Sequence, residues 1–236
     1  MRVKLTVIGE GEVAATSAAL VAALDLADVV LMGGSDDLAA DLNAAGALAE
    51  YEPRVIAGEW NDTDGSDIIL LADGDVDGAA AQIRDRSPDA VVLVANDPIE
   101  VTCHAIVRLT SFPRQRVIGM AGLPEVGAAR HRRAVERQGS VKDERDAGWD
   151  EEGPPGPWAM SHGVARVLDT IVRDSRRIMR LSALCQGEYG IDNLFATVPV
   201  RVGREGIVEI VEVELSEERQ SALQRAAGAV RKALHP

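Results

Sequence analysis

The sequence predicts an α/β fold in which helices cover both faces of a doubly wound parallel sheet, followed by a smaller α+β unit. Between residues 4 and 120, short apolar runs alternate with helical patterns, as they do in βαβ units. These runs are rich in Val, Ile and Leu without polar alternation, which is typical of strands buried on both faces. After residue 157, a long helical pattern gives way to an apolar period of two, which favours antiparallel strands.

The first part of the chain contains six predicted strands. They are Lys4–Ile8, Val29–Met32, Arg54–Ala57, Asp67–Ala72, Ala90–Val94 and Arg116–Met120. The predicted helices are Val13–Leu24, Asp36–Ala49, Val76–Arg86, Ile99–Thr110 and Val126–Gln138. Strands that alternate with helices in this way form a doubly wound sheet.

The C-terminal part has a different pattern. An acidic segment rich in Gly and Pro predicts a linker, and the next apolar stretch predicts one amphipathic helix, Trp158–Ile178. Alternation on either side of Gly203–Gly206 predicts a hairpin of Thr197–Val202 and Ile207–Glu214. Ser216 is a predicted N-cap for a closing helix that ends at Leu234. The predicted units are therefore a dinucleotide-binding-like domain 1–138, a linker 139–157 and a reduced C-terminal domain 158–236.

Composition excludes several classes of protein. A formal charge of −13 would repel nucleic acid and anionic membranes, so neither is an expected partner. We find no signal peptide and no apolar stretch long enough for a membrane span, which predicts a cytoplasmic protein. Cys103 and Cys185 lack paired spacing, so we expect reduced core residues and no metal site.

A glycine-rich turn follows the first strand. Gly9, Gly11 and Ala14 match Gly-x-Gly-x-x-Gly/Ala at the point where the first helix begins. The first glycine permits the turn, and Gly11 lets the backbone approach a pyrophosphate at the positive end of the helix. The alternative interpretation is a tight turn that binds nothing.

Several longer stretches carry a family resemblance. They are Asp41–Asn43, Val55–Gly58, Ser66–Leu71, Ser87–Ala90, Phe112–Gly122, Gly187–Ile191 and Val198–Val200. On these motifs, spread over most of the chain, the sequence resembles the lactate/malate dehydrogenase family. The resemblance implies a Rossmann fold and an NAD-dependent hydride transfer between a 2-hydroxy acid and its 2-oxo acid.

The resemblance also implies a cofactor site. Its expected residues are Gly9, Gly11, Glu12, Val13, Ala14, Gly33, Ala72, Asp73, Gly74 and Asn96. Gly33 stands where the family has an acidic residue for the adenosine ribose, so we expect a weakened NAD site unless Asp36 or Asp37 reaches it.

The catalytic groups that the family uses are harder to find. The arginine-rich loop is replaced by the short acidic stretch Ala72–Gly78, which we interpret as a solvated turn rather than a metal-binding Asp cluster. Arg130 matches the family's substrate arginine, with a surface arginine as the alternative. His162 is a weak candidate for the proton donor, because its Ser-His-Gly sequence lies at the start of the later helix. The other histidines have simpler interpretations, His104 in the core and His131 and His235 in solvent.

Three hypotheses follow from these matches and departures. The first is a family member that has lost ordinary dehydrogenase activity and keeps a weakened NAD site. The second is an active NAD-dependent oxidoreductase on a malate- or lactate-type 2-hydroxy acid. The third is an oligomerisation or subunit-partner module, since Ala15–Leu24 and Val164–Val172 could pair subunits. Whether the chain is an enzyme stays open at this point, and a homo-oligomer is expected.

Overall fold

A single nine-stranded sheet organises the chain, which is described here from a computed structural model over residues 2–48, 54–122 and 156–235. The strands are β1 (Lys4–Ile8), β2 (Asp28–Met32), β3 (Val55–Gly58), β4 (Ile68–Leu71), β5 (Val91–Val94), β6 (Val117–Gly119), β7 (Ile178–Gln186), β8 (Asp192–Gly203) and β9 (Gly206–Ile210). The α-helices are α1 (Glu12–Ala23), α2 (Asp36–Leu48), α3 (Val76–Arg86), α4 (Ile99–Thr110), α5 (Pro157–Val172) and α6 (Glu217–Leu234).

The first six strands are parallel and lie in the order β3-β2-β1-β4-β5-β6. This is the strand order of a doubly wound nucleotide-binding sheet, so the predicted fold class is confirmed. All residues of β4 and β5 are buried, as expected for strands covered on both faces. The predicted helix Val126–Gln138 and almost all of the predicted linker lie outside the described residues.

The C-terminal strands extend the same sheet in antiparallel fashion. Gly119 of β6 pairs with Ser182 of β7, and β7 then pairs with β8 over most of its length. The parallel and antiparallel parts therefore share one continuous sheet. The division into two domains stays a prediction.

The predicted helix Trp158–Ile178 is wrong at its C-terminal end. Helix α5 ends at Val172, and Ile178 is the first residue of β7. Between them, Asp174 and Arg176 have φ values of 46° and 50°, which an α-helix does not tolerate. Strand β7, which we did not predict, has no polar alternation in its buried stretch, because both of its faces are covered.

The closing elements follow the prediction more closely. The hairpin of β8 and β9 is present, although β9 ends at Ile210, short of the predicted Glu214. Ser216 caps α6, and its Oγ accepts a hydrogen bond from the Arg219 amide at 3.4 Å. In the described parts of the chain, no helix is both long enough and apolar enough to cross a membrane.

Both cysteines are buried and unpaired, as expected. Burial raises the pKa of the Cys103 thiol well above its usual value, and it raises the pKa of Cys185 to about 12. Thiols held neutral in this way are core residues rather than nucleophiles.

Candidate dinucleotide site

The residues expected at the cofactor site meet at one edge of the sheet. The register aligns Ile8 of β1 with Met32 of β2 and with Leu71 of β4, and Leu71 with Val94 of β5. The carboxyl ends of these four strands are therefore neighbours. Gly9, Gly33, Ala72 and Asn96 follow them at once or within two residues. In doubly wound sheets, ligands bind at this edge.

The glycine-rich turn has the predicted backbone path. Gly9 has a φ of 148°, which a residue with a Cβ rarely adopts, and Gly11 is the N-cap of α1. Ala14 is only 1% exposed, so its small side chain permits the close packing of α1 that the motif implies. Glu12 is exposed and Val13 is half-buried in the first turn of α1. The amides of Glu10 and Gly11 thus lie at the positive end of a helix.

A carboxylate from the same chain already binds these amides. The Glu10 amide donates to Oδ1 of Asp73 at 2.9 Å, and the Gly11 amide donates to Oδ2 at 3.0 Å. We refer to Glu10, Gly11 and Asp73 as the turn cluster. A Cβ on Gly9 or Gly11 would lie 2.6 or 2.8 Å from Asp73 Oδ2, so both glycines are needed for this contact. The acidic loop was visible in the sequence, but its contact with the turn was not.

The rest of the acidic loop is folded by backbone hydrogen bonds. Asp75 is the N-cap of α3, and its carboxylate accepts hydrogen bonds from the Asp77 and Gly78 amides at 3.2 and 3.1 Å. Nδ2 of Asn96 donates to the Gly74 carbonyl at 3.2 Å. Since Asp73 and Asp75 are both directed at amides, the loop is a turn and not a cation cage. Across residues 2–48, 54–122 and 156–235, no group of His, Cys, Asp and Glu side chains could hold a metal ion.

The backbone at the end of β2 would strain a side chain in place of Gly33. Gly33 has a φ of 83°, and a Cβ there would lie 2.7 Å from Glu10 Cγ and 3.1 Å from the Gly9 carbonyl oxygen. Asp36 and Asp37 are exposed in the first turn of α2. A glycine at position 33 thus lets the end of β2 lie close to the glycine turn.

The histidines occupy different environments. His162 is exposed on α5, with its ring centroid 6.4 Å from that of the exposed Trp158. The preceding residue, Ser161, is buried and donates to the Val13 carbonyl at 3.3 Å, which places the start of α5 beside the first turn of α1. His235 is exposed, as expected, whereas His131 and Arg130 lie outside the described residues.

His104 lies at the edge of the core. Its Nε2 accepts a hydrogen bond from the Phe195 amide at 3.1 Å, and its ring meets the Phe195 ring edge-on at 5.1 Å. Burial, and to a smaller extent the charge of His235, lowers the pKa of His104. These contacts pack the ring against the core, where the sequence predicted it.

Comparison with known proteins agrees with this geometry. Residues 157–236 match the family model of the lactate/malate dehydrogenase alpha/beta C-terminal domain. The malate dehydrogenase of Thermomicrobium roseum is 29% identical over 299 aligned positions, which cover 98% of this chain and 97% of the relative. Because this chain has only 236 residues, at least 63 of those 299 positions have no residue here. The shortening relative to this protein is therefore internal.

Solved structures of malate dehydrogenases are also similar to this chain. The malate dehydrogenase of Salinibacter ruber superposes with a TM-score of 0.88 at 28% identity, covering 98% of this chain and 96% of that one. The Plasmodium falciparum malate dehydrogenase, solved in complex with NADH, shares the fold with a TM-score of 0.88 at 15% identity, covering 98% of this chain and 97% of that one. The matched C-terminal domain, the doubly wound sheet and the glycine turn agree with these similarities, and together they confirm the resemblance to the lactate/malate dehydrogenase family.

Proposed function

We propose that this chain is an NAD-dependent oxidoreductase that interconverts a 2-hydroxy acid and its 2-oxo acid, of the malate or lactate type. The observation that carries the proposal is the glycine turn at the carboxyl end of β1, in a chain that aligns along nearly its whole length with proteins named malate dehydrogenase. Loss of activity, which the sequence favoured as its first hypothesis, gains no support from these relatives.

The proposed cofactor site is the edge formed by the ends of β1, β2, β4 and β5. The residues that line this edge are Gly9, Gly11, Glu12, Val13, Ala14, Gly33, Ala72, Asp73, Gly74 and Asn96, of which Asp73 accepts from the amides of the glycine turn. The Glu10 and Gly11 amides would bind the pyrophosphate, because donors at a helix N-terminus stabilise anions. When bound, NAD supplies or accepts the hydride.

Substrate binding is assigned to Arg130. A guanidinium can donate two parallel hydrogen bonds to a carboxylate, which fixes the orientation of a 2-oxo acid. His162 is the proposed proton donor to the substrate oxygen. It is exposed, and its helix begins beside the first turn of α1, the same end of α1 as the glycine turn. Both roles derive from the family resemblance.

The test combines nucleotide binding with turnover. NADH binding is measured by calorimetry, and NADH consumption is followed by absorbance with oxaloacetate and with pyruvate. We expect consumption with at least one acid. For Arg130→Ala, we expect KM to rise at least about tenfold, since a charge-assisted hydrogen bond is worth roughly 1.5–3 kcal/mol. The control is Arg166→Ala, which removes an exposed arginine from α5 and should leave KM unchanged.

A second candidate function is a binding or subunit-partner protein without turnover. Two features favour it, the Asp73 carboxylate on the turn amides and the acidic loop in place of an arginine-rich one. NADH binding by folded protein, without consumption of NADH in the presence of any 2-oxo acid, would support this candidate and contradict the first.

Self-association is a separate proposal. We propose a homo-oligomer, to be measured by light scattering, in which the buried residues of the two helix stretches named from the sequence take no part. Val164 and Leu168 of α5 and Ala18 and Val21 of α1 are buried within a single chain, where the two helices pack together. Any subunit contact must therefore use other residues.

A further inference from the structure

The turn cluster raises a question that the proposed function leaves open. The two amides that would bind a pyrophosphate already donate to Asp73, at 2.9 and 3.0 Å. The carboxylate also lies on the side of the turn where Gly9 and Gly11 carry no side chain. The absence of side chains is what lets a pyrophosphate approach the backbone in this fold. The internal carboxylate and a nucleotide would therefore use the same donors.

The backbone of Asp73 is held close to the turn. The Ala72 amide donates to the Ile8 carbonyl at 2.9 Å, which fixes the end of β4 beside the end of β1. On the other side of Asp73, the Gly74 carbonyl is bound by Asn96. Only the side chain of Asp73, which is half-buried, is free to change its rotamer without moving these anchors. The carboxylate is thus a permanent local competitor at high effective concentration.

We propose that Asp73 is an autoinhibitory residue that closes the phosphate-binding turn, and that a nucleotide binds only when its carboxylate is displaced. The inference rests on the proposed function, because it assumes that the turn binds a dinucleotide. Two anions cannot share the same pair of amides, and their charges repel at such close range. Asp73 therefore lowers the affinity for NADH and provides a point at which that affinity is controlled.

The experiment compares Asp73→Ala, Asp73→Asn and Asp77→Asn with the wild-type protein. Asp77 is exposed in the first turn of α3, so Asp77→Asn removes one nearby negative charge without touching the turn. Each protein is titrated by calorimetry with NADH and, separately, with inorganic pyrophosphate. Thermal unfolding and circular dichroism establish that each variant is folded. Asp73→Asn keeps one oxygen acceptor for the turn, so it tests the proposal even where Asp73→Ala does not fold.

We expect the Kd for NADH to fall by about 10- to 100-fold in Asp73→Ala, the range that corresponds to one hydrogen bond to a charged group. Asp73→Asn should give a smaller decrease, and Asp77→Asn should leave the Kd unchanged. An unchanged or weaker affinity in a folded Asp73 variant would overturn the inference. So would an equal gain in Asp77→Asn, since the effect would then come from net charge alone.

The pyrophosphate titration separates this inference from the proposed function. If Asp73→Ala binds pyrophosphate and wild type does not, while neither binds NADH, the carboxylate closes an anion site and the dinucleotide function fails. If folded Asp73→Ala binds neither compound, the turn is not an anion site and both proposals fail. Tighter binding of both compounds by the variant supports both proposals.

Discussion

Two carboxylates each accept a pair of hydrogen bonds, but in different surroundings. In the turn cluster, Asp73 accepts from two backbone amides of exposed residues. In a second group, which we call the junction cluster, Oε1 of Glu100 accepts from the hydroxyls of Ser182 and Thr197 at 2.7 and 3.1 Å. Those hydroxyls belong to β7 and β8, and Ser182 is completely buried.

The difference lies in what could replace each carboxylate. Water or a bound anion can reach the exposed amides of the turn cluster, so its contact can exchange. The junction cluster lies where β7 joins the parallel sheet, and its two hydroxyls, one of them on the completely buried Ser182, are also 3.0 Å from each other. We therefore expect the turn cluster to control binding and the junction cluster to hold the two parts of the sheet together.

The largest effect should come from the packing around the junction. Phe195 of β8 is completely buried between the sheet and α4, where it contacts His104. Phe195→Ala should lower the free energy of unfolding by about 3–5 kcal/mol, because it leaves a cavity in a close-packed core. Urea denaturation followed by circular dichroism measures this loss.

The control for Phe195→Ala is Val213→Ala, since Val213 is 48% exposed. That change should stay within about 0.5 kcal/mol. A loss below about 1 kcal/mol in Phe195→Ala would show that the antiparallel strands are not close-packed against the rest of the molecule.

The next effect tests the junction cluster directly. Glu100→Ala removes the carboxylate that accepts from Ser182 and Thr197 and leaves the two hydroxyls only 3.0 Å from each other, so that one of them loses its acceptor. The change should cost about 1–3 kcal/mol of unfolding free energy, the penalty for a polar group left without its partner. Glu100→Gln keeps an oxygen acceptor and should cost less. Equal losses in the two variants would mean that the negative charge, rather than the hydrogen bonds, stabilises the junction.

The turn cluster should contribute less to stability. Asp73→Ala should lower the free energy of unfolding by about 0.5–1.5 kcal/mol, because the exposed Glu10 and Gly11 amides regain hydrogen bonds to water. Urea denaturation of this variant beside Glu100→Ala measures the difference. If the Asp73 variant lost more stability than the Glu100 variant, the distinction between an exchangeable and a structural cluster would be wrong.

The fold could be predicted well where apolar periodicity decides it. The bounds of β1, α3 and α4 match the prediction, and the other parallel strands differ by one residue at one or both ends. No element was predicted over residues 179–186, so strand β7 was missed, and the predicted helix included only its first residue, Ile178. The helix was extended too far because left-handed φ values end it, and such values have no clear signal in Asp174 and Arg176.

Of the candidate site, only the backbone of the glycine turn could be predicted from the sequence. The position of Gly9 and Gly11 follows from local sequence, since the motif lies between a strand and a helix. The contact of Asp73 with that turn depends on β1 and β4 being neighbours, which brings together residues more than sixty positions apart. Gly33 shows the same limit, because its approach to Glu10 and to the Gly9 carbonyl oxygen is a tertiary feature.

The smallest effect concerns His104, which lies next to the junction. Burial, followed by the charge of His235, lowers the pKa of His104 below its usual value of 6.5. The folded state therefore favours the neutral ring, whose Nε2 accepts from the Phe195 amide. The stability that this ring contributes is complete above about pH 6.5 and is lost as the pH falls through the lower folded-state pKa.

His104→Gln should reduce the pH dependence of unfolding below pH 6.5, because a glutamine oxygen can accept from the same amide without gaining a proton. Urea denaturation of wild type and variant at several pH values between about 5 and 7.5 measures the slope. His235→Gln should have a weaker effect in the same direction, since it removes only the smaller cause of the shift. A slope in His104→Gln as steep as in wild type would show that acid weakens the molecule elsewhere.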